Sequence, residues 1–225
     1  MTVLPRAAGG AVAGVIGFTA HHVVAADVDP DWVRSVLPPG SLSAPMSARF
    51  LAALADRVGA EPGAYDTVLV APRQEIPPQG IAPQAVALQA VVPQKVVPQK
   101  VVRQGIQPQG IQLPGIPLAG LTPVTGADSA RLRRAERYRT DVRAWTVPGA
   151  ILVLGRGLAG RWEVSLEVDP AYRGRGLGRA LVATAPALVP PATVLWAQVS
   201  PANVASLRMF LAAGYRPVAA EVLLA

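Results

Sequence analysis

The chain has 225 residues, 51% of them hydrophobic and only 16% charged, which supplies a large core and excludes wholesale disorder. There is no cysteine, so a disulfide framework, cysteine-ligated zinc, iron–sulfur clusters and thiol nucleophiles are all excluded. The formal charge is +7, yet acidic residues outnumber basic ones six to four over 1–70; the excess lies further on, where six arginines crowd into 131–143 and could meet a polyanionic cofactor or nucleic acid.

No apolar run reaches the roughly 18 to 20 residues of a membrane span. Near the start, Arg6, the apolar run 11–18 and the small pair Ala25 and Ala26 have the outline of a leader, but glycines and the pair His21 and His22 interrupt it, so a buried strand over 15–26 is expected. Asp29 followed by Pro30 reads as a helix start, and Pro38-Pro39-Gly40 as its end. A second helix is capped by Ser47, carries Phe50, Leu51, Leu54 and Val58 at helical spacing, and stops at Gly59. Residues 65–71 then read as a strand.

From Ile76 an apolar residue recurs every fifth position through Ile116, and seven consecutive units carry glutamine three places later. Nine of the 23 prolines fall in 74–125. A step of five flips faces along a strand and drifts by about 140° per unit around a helix, so no amphipathic element results. The expectation is an irregular, extended Pro/Gln-rich insertion over 74–125; an interaction arm of polyproline type and a regular solenoid are the alternatives. The remainder, 1–73 and 126–225, is expected to form one domain.

Asp128 reads as the cap of an arginine-rich helix ending at Tyr138. Strands follow over 141–146, 150–156 and 161–169, separated by Pro148-Gly149 and by the glycine-flanked 157–160, which are hairpin connections. A helix over 175–188, a strand over 194–199, a helix over 201–213 closed by Gly214 and a strand over 215–224 complete an α/β pattern.

The stretch Arg173-Gly174-Arg175-Gly176-Leu177-Gly178 stands where a strand turns into a helix. Its glycines allow a tight turn whose amides, with the helix N-terminus, form an anion site suited to a pyrophosphate. The Walker pattern fails for want of a lysine, and the dinucleotide fingerprint fails because Arg179 occupies its last glycine position. A plain helix entry with arginines facing water is the alternative.

With Asn203 and Gly214-Tyr215 downstream at the matching distance, these residues resemble the GNAT superfamily of N-acetyltransferases. The resemblance covers 150–225 well; over 1–70 and 127–149 it is looser and is to actinobacterial-looking members, and it leaves out 74–125. It implies a single GNAT-like α/β domain with a mixed, mostly antiparallel central sheet, splayed between its fourth and fifth strands and flanked by helices. It further implies acetyl-CoA as cosubstrate and an amine as acceptor, joined by direct attack on the thioester. Backbone groups near Val168 would hold the thioester, the segment Arg173, Gly174, Arg175, Gly176, Leu177 and Gly178 the pyrophosphate, and Asn203 a further part of the cofactor. Asn203 also reads as an ordinary helix-start residue.

The candidate bases are Glu163 and Glu167, on one side of the expected fourth strand with Ser165 between them, while Trp162, Val164, Leu166 and Val168 face the other. Solvated sheet charges paired with arginines are the plainer reading. The family's usual acid, a tyrosine seven places after the asparagine, is replaced by Phe210, with Tyr215 as substitute donor or core residue. His21 and His22, on opposite faces of a strand, read as structural first, and Trp145, Trp162 and Trp196 as core packing first. No metal, membrane or nucleic-acid partner is expected, a cytoplasmic location is, and a homodimer stays open. Two alternatives remain: a degenerate CoA-binding member without turnover, motivated by Phe210, and a basic module using 131–143 and the pentad arm to bind nucleic acid or protein.

Overall fold

The computed structural model describes residues 1–10, 12–72, 116–126 and 129–225. The pentad units before Ile116 lie outside the described residues, as does Asp128. The described residues belong to one compact unit made of 1–73 and 113–225.

The elements in order are β1 (Thr2–Leu4), β2 (Ala13–Gly17), β3 (His22–Ala25), α1 (Pro30–Val36), α2 (Ala48–Val58), β4 (Pro62–Val70), β5 (Thr122–Val124), α3 (Ala130–Tyr138), β6 (Thr140–Val147), β7 (Ala150–Arg156), β8 (Trp162–Val168), α4 (Leu177–Thr184), β9 (Leu195–Val199), α5 (Val204–Ala212) and β10 (Arg216–Leu224). The ten strands of the described residues form one sheet in the order β1-β3-β2-β10-β4-β9-β8-β7-β6-β5. Only the β1–β3 and β8–β9 pairs are parallel. The mixed, mostly antiparallel sheet flanked by helices is the expected fold class.

The local chemistry explains most boundaries. The Asp29 side chain accepts the Asp31 amide at 2.7 Å, with Pro30 opening α1. Ser47 caps α2 by accepting from the Phe50 amide, and Gly59 ends it in the left-handed conformation. Ser129 caps α3 by accepting from Leu132. Apart from shifts of up to three residues at the ends of β4, α4 and α5, three larger differences from expectation stand out. The strand expected over 15–26 is a hairpin, because the Phe18 amide bonds the His21 carbonyl at 2.8 Å and turns the chain between β2 and β3. The helix expected over 175–188 is α-helical only to Thr184, since Pro186 has no amide to continue the ladder and a 3-10 turn follows. Thr122–Val124, expected to be the tail of the insertion, is an edge strand on β6. Leu121 before it is buried in the main core, and Ile116 packs on that core while its carbonyl accepts the Thr184 hydroxyl.

Alternation along β7 divides two layers. Leu152 and Leu154 join Trp162, Val164, Leu181, Val182, Phe210 and Tyr215 under α4 and α5. Ile151 and Val153 point the other way, toward Leu132 and Ala135 of α3. A separate cluster seats α1 and α2, through Val33, Phe50, Leu51 and Leu54, on β2, β3 and β10.

Candidate active site: the strand gap and its two cavities

β8 and β9 pair in parallel only at Trp162↔Leu195, Glu163↔Trp196 and Val164↔Ala197. β8 runs on to Val168 and β9 to Val199 without further pairing between them, so the sheet splays at its middle. The β9-facing backbone edge of 165–168 is thus free of a ladder partner, an arrangement tolerated where a ligand can supply the missing bonds.

Beyond β8 the chain makes a 3-10 turn over Pro170–Tyr172 and enters the glycine run. Gly174 and Gly176 have φ of +73° and +82°, a region costly for residues with a side chain. Gly176 is the N-cap of α4 and offers no side chain, so the first amides of the helix have no side-chain cap. Arg173 folds back and donates from Nε to the Val168 carbonyl at 2.9 Å, tying the two ends of the turn together.

This turn lines a groove of about 700 Å³. Val168, Arg173, Gly174, Gly176, Leu177, Gly178 and Asn203, seven of the eight cofactor residues expected from sequence, border it; Arg175 does not. Glu167, Arg179 and Arg208 border it too, and Glu167 is exposed. Asn203 is the N-cap of α5: its Oδ1 accepts the Ser206 amide at 3.1 Å, leaving the amide NH₂ free of that role.

Glu163 borders a cavity on its side of β8, as expected of a cleft carboxylate, but its oxygens are already engaged. Both faces of β8 are covered over Trp162–Val164, and the Glu163 side chain is 2% exposed. Its Oε1 accepts from Arg161 Nε at 2.9 Å, Gln198 Nε2 at 3.0 Å and the Leu158 amide at 3.3 Å, and its Oε2 from Arg139 Nε at 3.0 Å. Four donors occupy the roughly four lone-pair sites of a carboxylate, which leaves none for an incoming amine proton. An added Cβ at Gly157 would lie 2.3 Å from the Glu163 carboxyl, so this close approach requires glycine there.

Arg161 carries the network onward to Glu221, which is fully buried and accepts from Nη2 at 2.5 Å. Burial raises Glu221 to about 7, with Arg161 opposing and Glu163 and Asp66 reinforcing. Burial likewise lowers Arg139, against the pull of Glu163. Sequence reasoning missed Glu221, Arg139 and Gln198; an acidic residue in the otherwise apolar β10 was the one available signal.

A second cavity, of about 310 Å³, opens on the Glu163 and Ser165 side of β8 and is lined also by Gln198, Gly63 and by Arg131, Arg134, Tyr138 and Arg139 of α3 and its end. Leu166 and Val168 border the groove instead. The two cavities therefore flank β8 beside the splayed gap; the groove also reaches Glu167 on the Ser165 side, and Arg131 borders both.

The substitute donor Tyr215 is core: its hydroxyl donates to the Val182 carbonyl at 3.0 Å and burial pushes the phenol well above its ordinary value. Phe210 stacks edge-on against it, centroids 4.9 Å apart. His22 is buried, which lowers its pKa, and His21 Nε2 meets the Thr2 hydroxyl at 2.9 Å. Trp162 is buried beneath Arg143 and Arg156, and Trp196 lies under Arg161. The arginine cluster is thus divided: Arg139 pairs inside, Arg143 stacks on Trp162 and Arg131 faces the cavities. Among the described residues no helix is long and apolar enough to cross a membrane, and no group of three or more His, Cys, Asp or Glu could hold a metal.

No curated protein matches the chain. A solved GNAT-family protein of Novosphingobium aromaticivorans DSM 12444 is similar at 16% identity over 74% of this chain and 67% of its own, with a TM-score of 0.35. The sequence model of the acetyltransferase (GNAT) family matches residues 148–215, the stretch that builds β7, β8, the glycine turn, α4, β9 and α5. Over those residues the chain is similar to the acetyltransferase (GNAT) family.

Proposed function

We propose that the protein is an N-acetyltransferase that moves an acetyl group from acetyl-CoA to an amine. The observation that carries this reading is the convergence on β8 of three features: the splayed gap, the glycine turn at its end, and the two cavities beside it. The unit doing the work is read as 1–73 with 113–225, and its setting as the cytoplasm.

The residues present fit the cosubstrate. Amides of 174–178 and the open start of α4 suit a diphosphate. Arg173, Arg179 and Arg208 add positive charge around the groove. The unpaired edge of 165–168 suits the amides of a pantetheine arm, and the Asn203 NH₂ can donate to it. Acetyl-CoA, when bound, supplies a thioester open to attack by a neutral amine.

Glu167 is the proposed base. It is exposed and borders the groove, whereas Glu163 has no lone pair to give. It takes the proton released by the acceptor nitrogen, directly or through one water, as the new C–N bond replaces the C–S bond. With Phe210 and Tyr215 committed to the core, the thiolate leaves without a side-chain acid, which its pKa of roughly 8.5 tolerates near neutrality.

Calorimetric titration with acetyl-CoA and an assay of free thiol across an amine panel test the proposal. Binding with thiol release is expected; no binding at millimolar acetyl-CoA overturns the reading, and binding with a silent panel favours a CoA-binding protein without turnover. Glu167→Gln is expected to lower kcat/KM about 10²-fold, with acetyl-CoA affinity retained.

A further inference from the structure

We infer that the acceptor is a small amine that also bears a carboxylate, and that Arg131, with Arg134 beside it, recognises that carboxylate; this rests on the acetyltransfer reading above. The cavity on the Ser165 side of β8 is about 310 Å³, at the small end of ligand pockets. Its charged lining comprises Arg131, Arg134, Arg139, Glu61 and Glu163. Arg139 and Glu163 neutralise each other at 3.0 Å. Arg134 stacks on the Tyr138 ring at 5.2 Å, a contact that leaves its N–H edge able to donate. Glu61 is exposed.

Arg131 is the cation left over. Its Nε is buried with no hydrogen-bond partner among the described residues. A buried guanidinium N–H without an acceptor is costly, and the partly exposed remainder of the Arg131 side chain borders the cavity. Guanidinium also fits carboxylate in two-point geometry. Three arginines against Glu61 and Glu163 leave the lining side chains with one net positive charge, which balances a monoanion better than a phosphate dianion and favours the carboxylate. Because Arg131 borders both cavities, a carboxylate held there lies close to the gap where the amine must be acetylated, so the two groups of the acceptor are few bonds apart.

The test uses the full chain with acetyl-CoA and three matched pairs: L-alanine, L-serine and L-lysine, each against its α-carboxamide. The amine of the carboxamide is the more acidic, so a larger neutral fraction works against the expected result. The free amino acids are expected to exceed their carboxamides at least tenfold in kcat/KM. In Arg131→Gln that ratio should fall toward one, and Arg131→Lys should restore part of it; Arg134→Gln, remote from the groove lining, should raise KM for the amino acids alone. Carboxamides equal to or better than the amino acids overturn the inference, as does a preference that survives Arg131→Gln, or a failure of all six compounds while other amines release thiol. Calorimetry with acetyl-CoA separates the two layers: absence of binding removes the acetyltransfer reading itself, whereas intact binding with the wrong acceptor preference removes only this inference.

Discussion

Four donors converge on the Glu163 carboxylate, and two belong to arginines whose side chains are 11% and 8% exposed. Removing one partner of a buried pair leaves an uncompensated charge, which is costlier than the pair is stabilising. Glu163→Gln is therefore expected to lower stability by about 3 kcal/mol in urea titrations, because Arg139 loses its carboxylate and Arg161 retains only Glu221. Unchanged stability would mean that the four donors do not depend on a charged Glu163. None of this was legible in the sequence. The period-two pattern of β8 places Glu163 and Glu167 on one side, but what covers that side is decided by α3 and β10, and Arg161 meets Glu221 across 60 residues of chain.

The turn from β8 into α4 is the element most readable from sequence and most bound to the proposed activity. Its glycine spacing is local, so residue order alone points to a tight turn, and the two positive-φ glycines of that turn border the groove. At Gly176 an added Cβ meets nothing within 4 Å, so the obstacle to a side chain is the positive φ and not crowding. Gly176→Val is expected to cost about 1–2 kcal/mol in backbone strain while displacing the amides. Acetyl-CoA affinity should be lost in calorimetry with the circular dichroism spectrum retained; unchanged affinity would make the turn purely structural. The elements that escaped sequence reading are the short ones. β1 and β5 have three residues each, too few to show any period, and exist because longer neighbours offer an edge. The hairpin of β2 and β3 was hidden because its apolar residues run on through a turn without proline.

At the scale of the whole molecule, one chain of ionic contacts joins α3's end to β10, from Arg139 through Glu163 and Arg161 to Glu221. Glu221, faced by Arg161, Glu163 and Asp66, is raised from 4.5 to about 7. A carboxyl raised by folding contributes its full stability below the unfolded value, and that contribution is lost as pH rises through the folded value. Wild type is therefore expected to lose thermal stability relative to Glu221→Gln between about pH 5 and pH 7, with the difference levelling off above. Subtracting the variant removes the opposite trend from His22, whose lowered pKa disfavours folding as pH falls. A flat difference curve would mean that Glu221 stays ionised throughout.

β10 pairs on one side with β2 and on the other with β4, matching Val222 to Val15 and to Tyr65. The middle of the sheet is therefore made from segments synthesised far apart in time. During translation β2, β3 and β4 emerge early, and β4 has neither neighbour until β9 and β10 leave the ribosome. Such long-range closure makes folding slow, and it leaves the apolar edges of the early strands exposed while they wait. The protein is thus expected to depend on chaperones for its yield in a way that its final stability would not reveal.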